Sequence, residues 1–345
     1  MGKRVGVVIG RMQGFHNDHE GHIVRALKEN DVVMVLIGSS NRRVSIKNPF
    51  TFDQRVTMIH LNLVAKGLDE GRIVYRPLPD TATDASWVEN VRHCVAQQAG
   101  PNDNVALYGS DKDESTYYLN MFPEWHQRFT EATSGFDATA FRKAWFKGYQ
   151  TDRAIRKDSK IMNHISEWTA IYVNALPFNA NLQEEWEYYQ NEAVRFGSYP
   201  FPDTLNFSCA DAVFTWRDYV AFIERARNPG KGCLALPGGF RNRGERHIDA
   251  AEREGYEETR INIPPAALAK CYRGEKLFDD GSRSLGIPRS TLAVHWDLTE
   301  MFEQMPVLYP ADDAADYEWI HKKHLDDRAT EIYDDHMFIA KHFVG

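Results

Sequence analysis

Four short apolar runs constrain this chain's fold more than any other feature. They lie at residues 5–9, Val32–Ile37, 72–75 and 105–108, and most close on Gly or Ser: Gly10, then Gly38-Ser39-Ser40, then Gly109-Ser110. Short continuous apolar runs punctuated in this way suit strands buried on both faces, the setting of a parallel sheet. Helix-like stretches separate the runs. One of them opens with Thr51-Phe52-Asp53-Gln54, the spacing of a capping box. The alternation predicts a doubly wound α/β domain. Ligands of such sheets bind beyond the carboxyl ends of the strands. The polar segments 10–22, 38–48, 80–87 and 109–118 all follow a strand end.

A length of 345 residues fits two domains. Residues 1–180 form the first and 181–202 a linker helix, broken at Tyr199-Pro200-Phe201-Pro202. Residues 203–345 form an α+β domain, with strands expected at 212–214, 233–236 and 289–296 and a strong helix at 248–259. A net charge of −8 leaves no basic excess for coating nucleic acid. No apolar run approaches the roughly 18 residues of a membrane span. The start lacks the pattern of a signal peptide. Four scattered cysteines without a CxxC pair suggest neither a zinc cluster nor a disulfide framework, and a reducing, cytoplasmic setting follows. A homo-oligomer is compatible with all of this.

Two constellations carry chemistry. The first follows the opening strand: Gly10-Arg11-Met12-Gln13-Gly14-Phe15-His16-Asn17-Asp18-His19. His16 and His19 are three apart at a helix start, so they share a face. Backbone N–H groups and the helix dipole favour an anion there. By spacing alone, a pair of surface histidines is the simpler reading. The surrounding residues are more specific. Gly-Arg-x-Gln-x-Phe-His, then Lys47-Asn48-Pro49-Phe50-Thr51 with Arg55, Gly109-Ser110, and Ala138-Thr139-Ala140-Phe141-Arg142 resemble the nicotinamide-mononucleotide (NMN) adenylyltransferases fused to a Nudix domain.

That resemblance implies a Rossmann-like nucleotidylyltransferase domain and in-line transfer of an adenylyl group from ATP to NMN. It places His16, His19 and Arg142 on the ATP phosphates, with Thr139 beside Arg142. Gly10, Arg11, Gln13, Phe15, Asn48 and Gly109 would complete the ATP and NMN site. Trp87 would stack on nicotinamide, and Asp84 would fix its carboxamide region. The chain departs from the family pattern at Asp18, where Gly is usual, at Gly14, where Pro is common, and at Ala82-Thr83. A literal His-x-Gly-His also occurs at His19-Glu20-Gly21-His22. Transfer to another phosphate acceptor, or a nucleotide-sensing module with one degenerate domain, are the alternative readings.

The second constellation spans 238–261. Glu254, Glu257 and Glu258 stand at i, i+3 and i+4, on one helix face. Three crowded carboxylates repel one another unless a cation neutralises them, and oxygen-only ligands suit Mg²⁺ or Mn²⁺. A bare Glu-x-x-Glu-Glu is more often a solvated acidic face. Here Gly239, Glu245, Arg253, Glu254, Glu257, Glu258 and Ile261 keep every spacing of the Nudix pattern, with Gly255 and Arg260 departing from it. The resemblance implies cleavage of ADP-ribose to AMP and ribose 5-phosphate. It implies metal ligation by the three glutamates, with Gly239 and either Arg283 or Arg289 contacting the substrate. The partners expected are therefore the small molecules ATP, NMN and ADP-ribose, with no nucleic acid and no membrane.

Overall fold

The computed structural model describes residues 2–110, 114–130, 136–149, 159–177, 179–201, 204–281 and 283–345. The chain divides into two compact units, Met1–Asn179 and Ala180–Gly345.

Unit 1 runs β1 (Arg4–Gly10), α1 (Asn17–Glu29), β2 (Val32–Ile37), α2 (Phe52–Ala65), β3 (Ile73–Pro77), α3 (Asp84–Ala96), β4 (Asn104–Ser110), β5 (His126–Thr130) and α4 (Ala138–Tyr149). Two shorter helices follow, α5 (Ser159–Met162) and α6 (Glu167–Ala175). Its sheet has the order β3-β2-β1-β4-β5, and every pair is parallel. The chain therefore reverses its winding between β1 and β4, whose carboxyl ends flank the crevice where such sheets bind ligands. Val5, Val7, Met34, Leu36 and Leu107 bury one core against Val91 and Phe122. The expected capping box is present: Thr51 Oγ1 accepts from Gln54 N, and Gln54 Oε1 accepts from Thr51 N.

Unit 2 opens with α7 (Ala180–Phe196) and continues through β6 (Phe207–Trp216), β7 (Tyr219–Arg225), β8 (Leu234–Ala235), β9 (Gly238–Phe240) and α8 (His247–Thr259). It ends with α9 (Pro265–Cys271), β10 (Tyr272–Phe278), β11 (Arg289–Asp297), β12 (Ala314–His321) and α10 (His336–Val344). The sheet order is β10-β11-β6-β7-β12, with β8 on β7 and β9 on β6. Alternation along the strands sends Ala210, Ala212 and Phe214 to the α8 side and Val213, Val220 and Phe222 to the α10 side. The helix expected as a linker is instead part of this unit. Glu192 on α7 pairs with Arg289 and accepts from Ile287 N, anchors that lie almost a hundred residues downstream.

All four cysteines are free. Among the described residues, no helix is long and apolar enough to cross a membrane.

Candidate active sites

In unit 1 the site grows from the end of β1. Met12 and Gly14 take positive φ angles of 52° and 112°, folding the β1–α1 loop back on itself. That angle at Gly14 excludes proline, whose ring fixes φ near −65°. A Cβ at Gly14 would also sit 2.5 Å from Phe141. His16 is the N-cap of α1, and its ring centroid lies 3.8 Å from that of His19. A Cβ on Gly10 would lie 2.9 Å from Met12 Cε and 4.0 Å from His19 Nε2, so the strand end sits beside both the folded-back loop and the imidazole. Asp18 is buried rather than presented to solvent.

Arg142 reaches this loop from α4. Its Nη1 donates to Gln13 O at 3.2 Å and its Nη2 to Thr139 Oγ1 at 3.1 Å. Among the described residues no carboxylate bonds to it. Burial and the neighbouring Arg11 charge pull its guanidinium down to about 10, so it stays a cation at neutral pH. A buried cation satisfied only by neutral oxygens is a site prepared for an anion.

The structure thus brings Gly10, Arg11, His16, His19, Thr139 and Arg142 together around one loop. Two expected ligand contacts have other work. The Gln13 side-chain amide is clasped to the main chain of Phe50, donating to its O and accepting from its N at 3.0 Å each. Phe15 is fully buried behind His19, with ring centroids 6.0 Å apart. Asn48 lies two residues before Phe50, and among the described residues its buried Oδ1 has no hydrogen-bond partner. On the other side of the switch point, Gly109 packs against Leu119. Trp87 is half-buried against Tyr118 and Phe122, and Asp84 accepts from Tyr117 Oη at 3.0 Å. Thr83 departs from the family pattern yet N-caps α3 through Ser86 N. Residues 111–113 of the expected post-β4 segment lie outside the described residues.

In unit 2, Arg253 organises the glutamates. Its Nε meets Glu245 Oε1 at 2.8 Å, and its Nη1 meets Glu254 Oε1 at 2.7 Å and Glu257 Oε2 at 2.9 Å. Its Nη2 donates to Phe240 O at 3.0 Å. Glu258 is buried and accepts from Gly238 N at 2.9 Å. Burial raises its carboxyl to about 8. Burial also raises Glu254, against the pull of Arg253. A Cβ at Gly239 would lie 2.6 Å from Glu254 Oε1, so a side chain there would displace this carboxylate from its place beside Arg253.

Among the described residues no three acidic or imidazole groups already form a cation cage. The donor set nonetheless fits a hard divalent cation. It offers oxygen atoms only, on one helix face, and burial raises two of the three carboxyls.

Arg283 and Arg289, expected to meet substrate phosphates, both have partners inside unit 2. Arg283 forks onto both oxygens of Asp335, at 2.9 and 2.8 Å. Arg289 is held by Glu192 and lies over the Phe207 ring. Both guanidiniums are committed inside the unit by contacts too distant in sequence to foresee.

Comparison with known proteins matches residues 208–339 to the NUDIX domain model. The chain is 38% identical over 143 residues to a nicotinamide/nicotinic acid mononucleotide adenylyltransferase of Acinetobacter baylyi, covering 41% of this chain and 75% of that one. A crystal structure of a bifunctional NMN adenylyltransferase/ADP ribose pyrophosphatase from Francisella tularensis superposes with a TM-score of 0.86 at 30% identity, covering 99% of this chain and 98% of that one. The same kind of enzyme from Francisella tularensis, complexed with AMP and a manganese ion, gives 0.85 at 29% identity, covering 99% and 100%.

Proposed function

This chain belongs to the family of bifunctional NMN adenylyltransferase/ADP-ribose pyrophosphatases, and on that premise we propose which substrates each unit takes and which residues act on them. Unit 1 transfers the adenylyl group of ATP to NMN, giving NAD and pyrophosphate. Unit 2 hydrolyses ADP-ribose to AMP and ribose 5-phosphate with Mg²⁺ or Mn²⁺. The observation that carries the first assignment is Arg142, a buried cation bonded among the described residues only to Gln13 O and Thr139 Oγ1, at the loop bearing His16 and His19.

In unit 1 an NMN phosphate oxygen attacks the α-phosphorus of ATP in line, and the bond to pyrophosphate breaks. Such a transfer needs positioning and charge stabilisation rather than a covalent nucleophile. His16 and His19 donate hydrogen bonds to the triphosphate. Arg142 and Arg11 neutralise the charge that builds toward the leaving pyrophosphate. Trp87 offers a ring face to nicotinamide, with Asp84 and Asn48 as polar contacts.

In unit 2 a water oxygen attacks one phosphorus of the diphosphate, and the bridging P–O bond breaks. Glu254, Glu257 and Glu258 would hold the cation. When bound, a divalent cation supplies charge neutralisation for the diphosphate and lowers the pKa of the attacking water. The protein's part is orientation: Glu245 fixes Arg253, Arg253 fixes Glu254 and Glu257, and the Gly238 N–H fixes Glu258.

Product analysis with ATP plus NMN, and separately with ADP-ribose, tests both halves. Glu258→Gln should abolish hydrolysis and leave NAD synthesis largely intact. His19→Ala should slow NAD synthesis by ~2.7–4 kcal/mol of transition-state stabilisation and spare hydrolysis. Loss of both activities in either folded variant would contradict two separate sites, and NAD synthesis by His19→Ala at near wild-type rate would point to the alternative register at 19–22 or to no role for His19.

A further inference from the structure

Arg55 lies in the first turns of α2 and is fully buried, yet the chemistry above gives it no part. Among the described residues its guanidinium donates to main-chain carbonyls alone. Nη1 reaches Gly38 O at 2.6 Å and Arg11 O at 2.7 Å, and Nε reaches Thr51 O at 3.2 Å. Arg11 follows β1 and Gly38 follows β2. These strands are parallel neighbours, with Gly10 opposite Ile37 and Gly38 N donating to Gly10 O at 3.0 Å. Arg55 therefore staples together the two strand ends that border the phosphate loop.

Among the described residues no carboxylate bonds to Arg55, and Asp80 acts on it only through space. Burying an unpaired charge is a costly way to brace a fold when an apolar residue would fill the same volume. One nitrogen, Nη1, meets both strand-end carbonyls while Nε bonds Thr51 O at the helix start, and the rigid guanidinium plane holds these three contacts together in a way a flexible ammonium does not. What the staple controls is visible in Arg11. A Cβ placed on Gly38 would lie 3.5 Å from Arg11 Cγ, so the Arg11 stem runs across the second stapled residue. The Arg11 charge is felt by both Arg55 and Arg142.

We propose that Arg55 is a positioning residue for adenylyl transfer: by fixing the main chain at Arg11 and Gly38, it aims the Arg11 guanidinium into the phosphate site that Arg142 also serves. The inference rests on the reading of unit 1 as an adenylyltransferase.

The test uses the full chain with Arg55→Lys, Arg55→Met, Arg11→Ala and the Arg11→Ala/Arg55→Lys double variant. NAD formation is followed at varied ATP, with ADP-ribose hydrolysis and thermal unfolding measured on the same preparations. Arg55→Lys keeps the charge and loses the planar guanidinium with its Nε contact to Thr51 O. It should lower kcat/KM for ATP about 10- to 100-fold while hydrolysis stays at the wild-type rate. The double variant should be about as slow as the slower single variant, because both changes act through one side chain. Arg55→Met removes the charge as well; if it does not fold, Arg55→Lys carries the test.

Multiplicative losses in the double variant would overturn the proposal. So would a normal kcat/KM in Arg55→Lys, or a loss that merely tracks the fraction of unfolded protein. Absence of NAD formation by the wild-type chain is a different failure: it removes the reading of unit 1, and the proposal with it.

Discussion

Gly255 and Arg260 depart from the glutamate-helix pattern, and each departure has a local cause. A Cβ on Gly255 would lie 2.7 Å from Phe214 Cζ and 3.1 Å from Ala212 Cβ. The Phe214 ring thus fills the volume that an aliphatic side chain on the helix usually supplies. Arg260 ends α8 in the left-handed region at φ 51°, its N–H bonded to Tyr256 O. The conformation costs ~1–2 kcal/mol for a residue with a Cβ. The guanidinium 5.5 Å over the Tyr256 ring returns part of that. Gly255→Ala should destabilise unit 2 by about 1–3 kcal/mol through overpacking, although alanine is the better helix former by ~1 kcal/mol. Phe214→Leu in the same chain should restore part of the loss, giving a non-additive cycle in denaturant unfolding. A neutral Gly255→Ala would mean that the ring moves aside freely and that the glycine has another cause.

Helix α2 shows at the element scale how much depends on local chemistry. Its capping box satisfies two N–H groups at the helix start, the same start from which Arg55 reaches the strand ends. Thr51→Ala should lower the stability of unit 1 by about 1 kcal/mol, read as an earlier urea midpoint, and Thr51→Ser should restore it. The box was legible in the sequence because it is a short-range pattern. So were β1, β2 and β4, whose apolar runs are buried on both faces, and α8, whose spacing is chemical. β5 and β10 were not. His126–Thr130 and Tyr272–Phe278 end their sheets, and the side chains of β10 are mostly exposed, so neither carries an apolar run. β7 had a signal: two apolar stretches separated by Arg217-Asp218. The turn is a tight one, with Trp216 opposite Tyr219 and Arg217 at φ 52°, but it lacks the Asn-Gly pair that usually announces such hairpins. At the sites, the glutamates could be read from spacing and the Arg142–Thr139 pair from the family resemblance. The Gln13–Phe50 clasp, the Arg55 staple and the partners of Arg283 and Arg289 could not, because each joins residues from 17 to 97 positions apart.

On the scale of the whole molecule, two acids and two histidines withdrawn from water in unit 2 make stability follow pH in opposite directions. Asp211 is raised to about 6 and Glu258 to about 8, both chiefly by burial. An acid raised in the folded state keeps a proton that the unfolded chain has released, so stability falls as pH rises from the unfolded value through the folded one. His295 is lowered to about 4 by burial, with Asp297 opposing and Arg273 assisting, and its Nε2 lies 2.8 Å from Thr215 Oγ1. His336 is lowered too, beside Arg283 and Arg225, with Nδ1 accepting from Leu236 N. These bases contribute stability above pH ~6.5 that is lost as pH falls toward their folded values. Between about pH 5 and 6 the two pairs nearly cancel. Above that range the histidines are neutral in both states, and only the acids still titrate. Metal-free protein should therefore lose stability in unit 2 between pH 6 and 8.5, by an amount on the order of a few kcal/mol. Calorimetry in chelator at the two pH values measures it as a fall in Tm. Glu258→Gln should remove most of the fall, and added Mg²⁺ or Mn²⁺ should oppose it in the wild-type chain but not in the variant. If Glu258→Gln keeps the full slope, the buried carboxyl is not its source. The same glutamate would then lose its strongest claim to be a cation ligand, since a group that ionises freely without a counter-charge has no need of one.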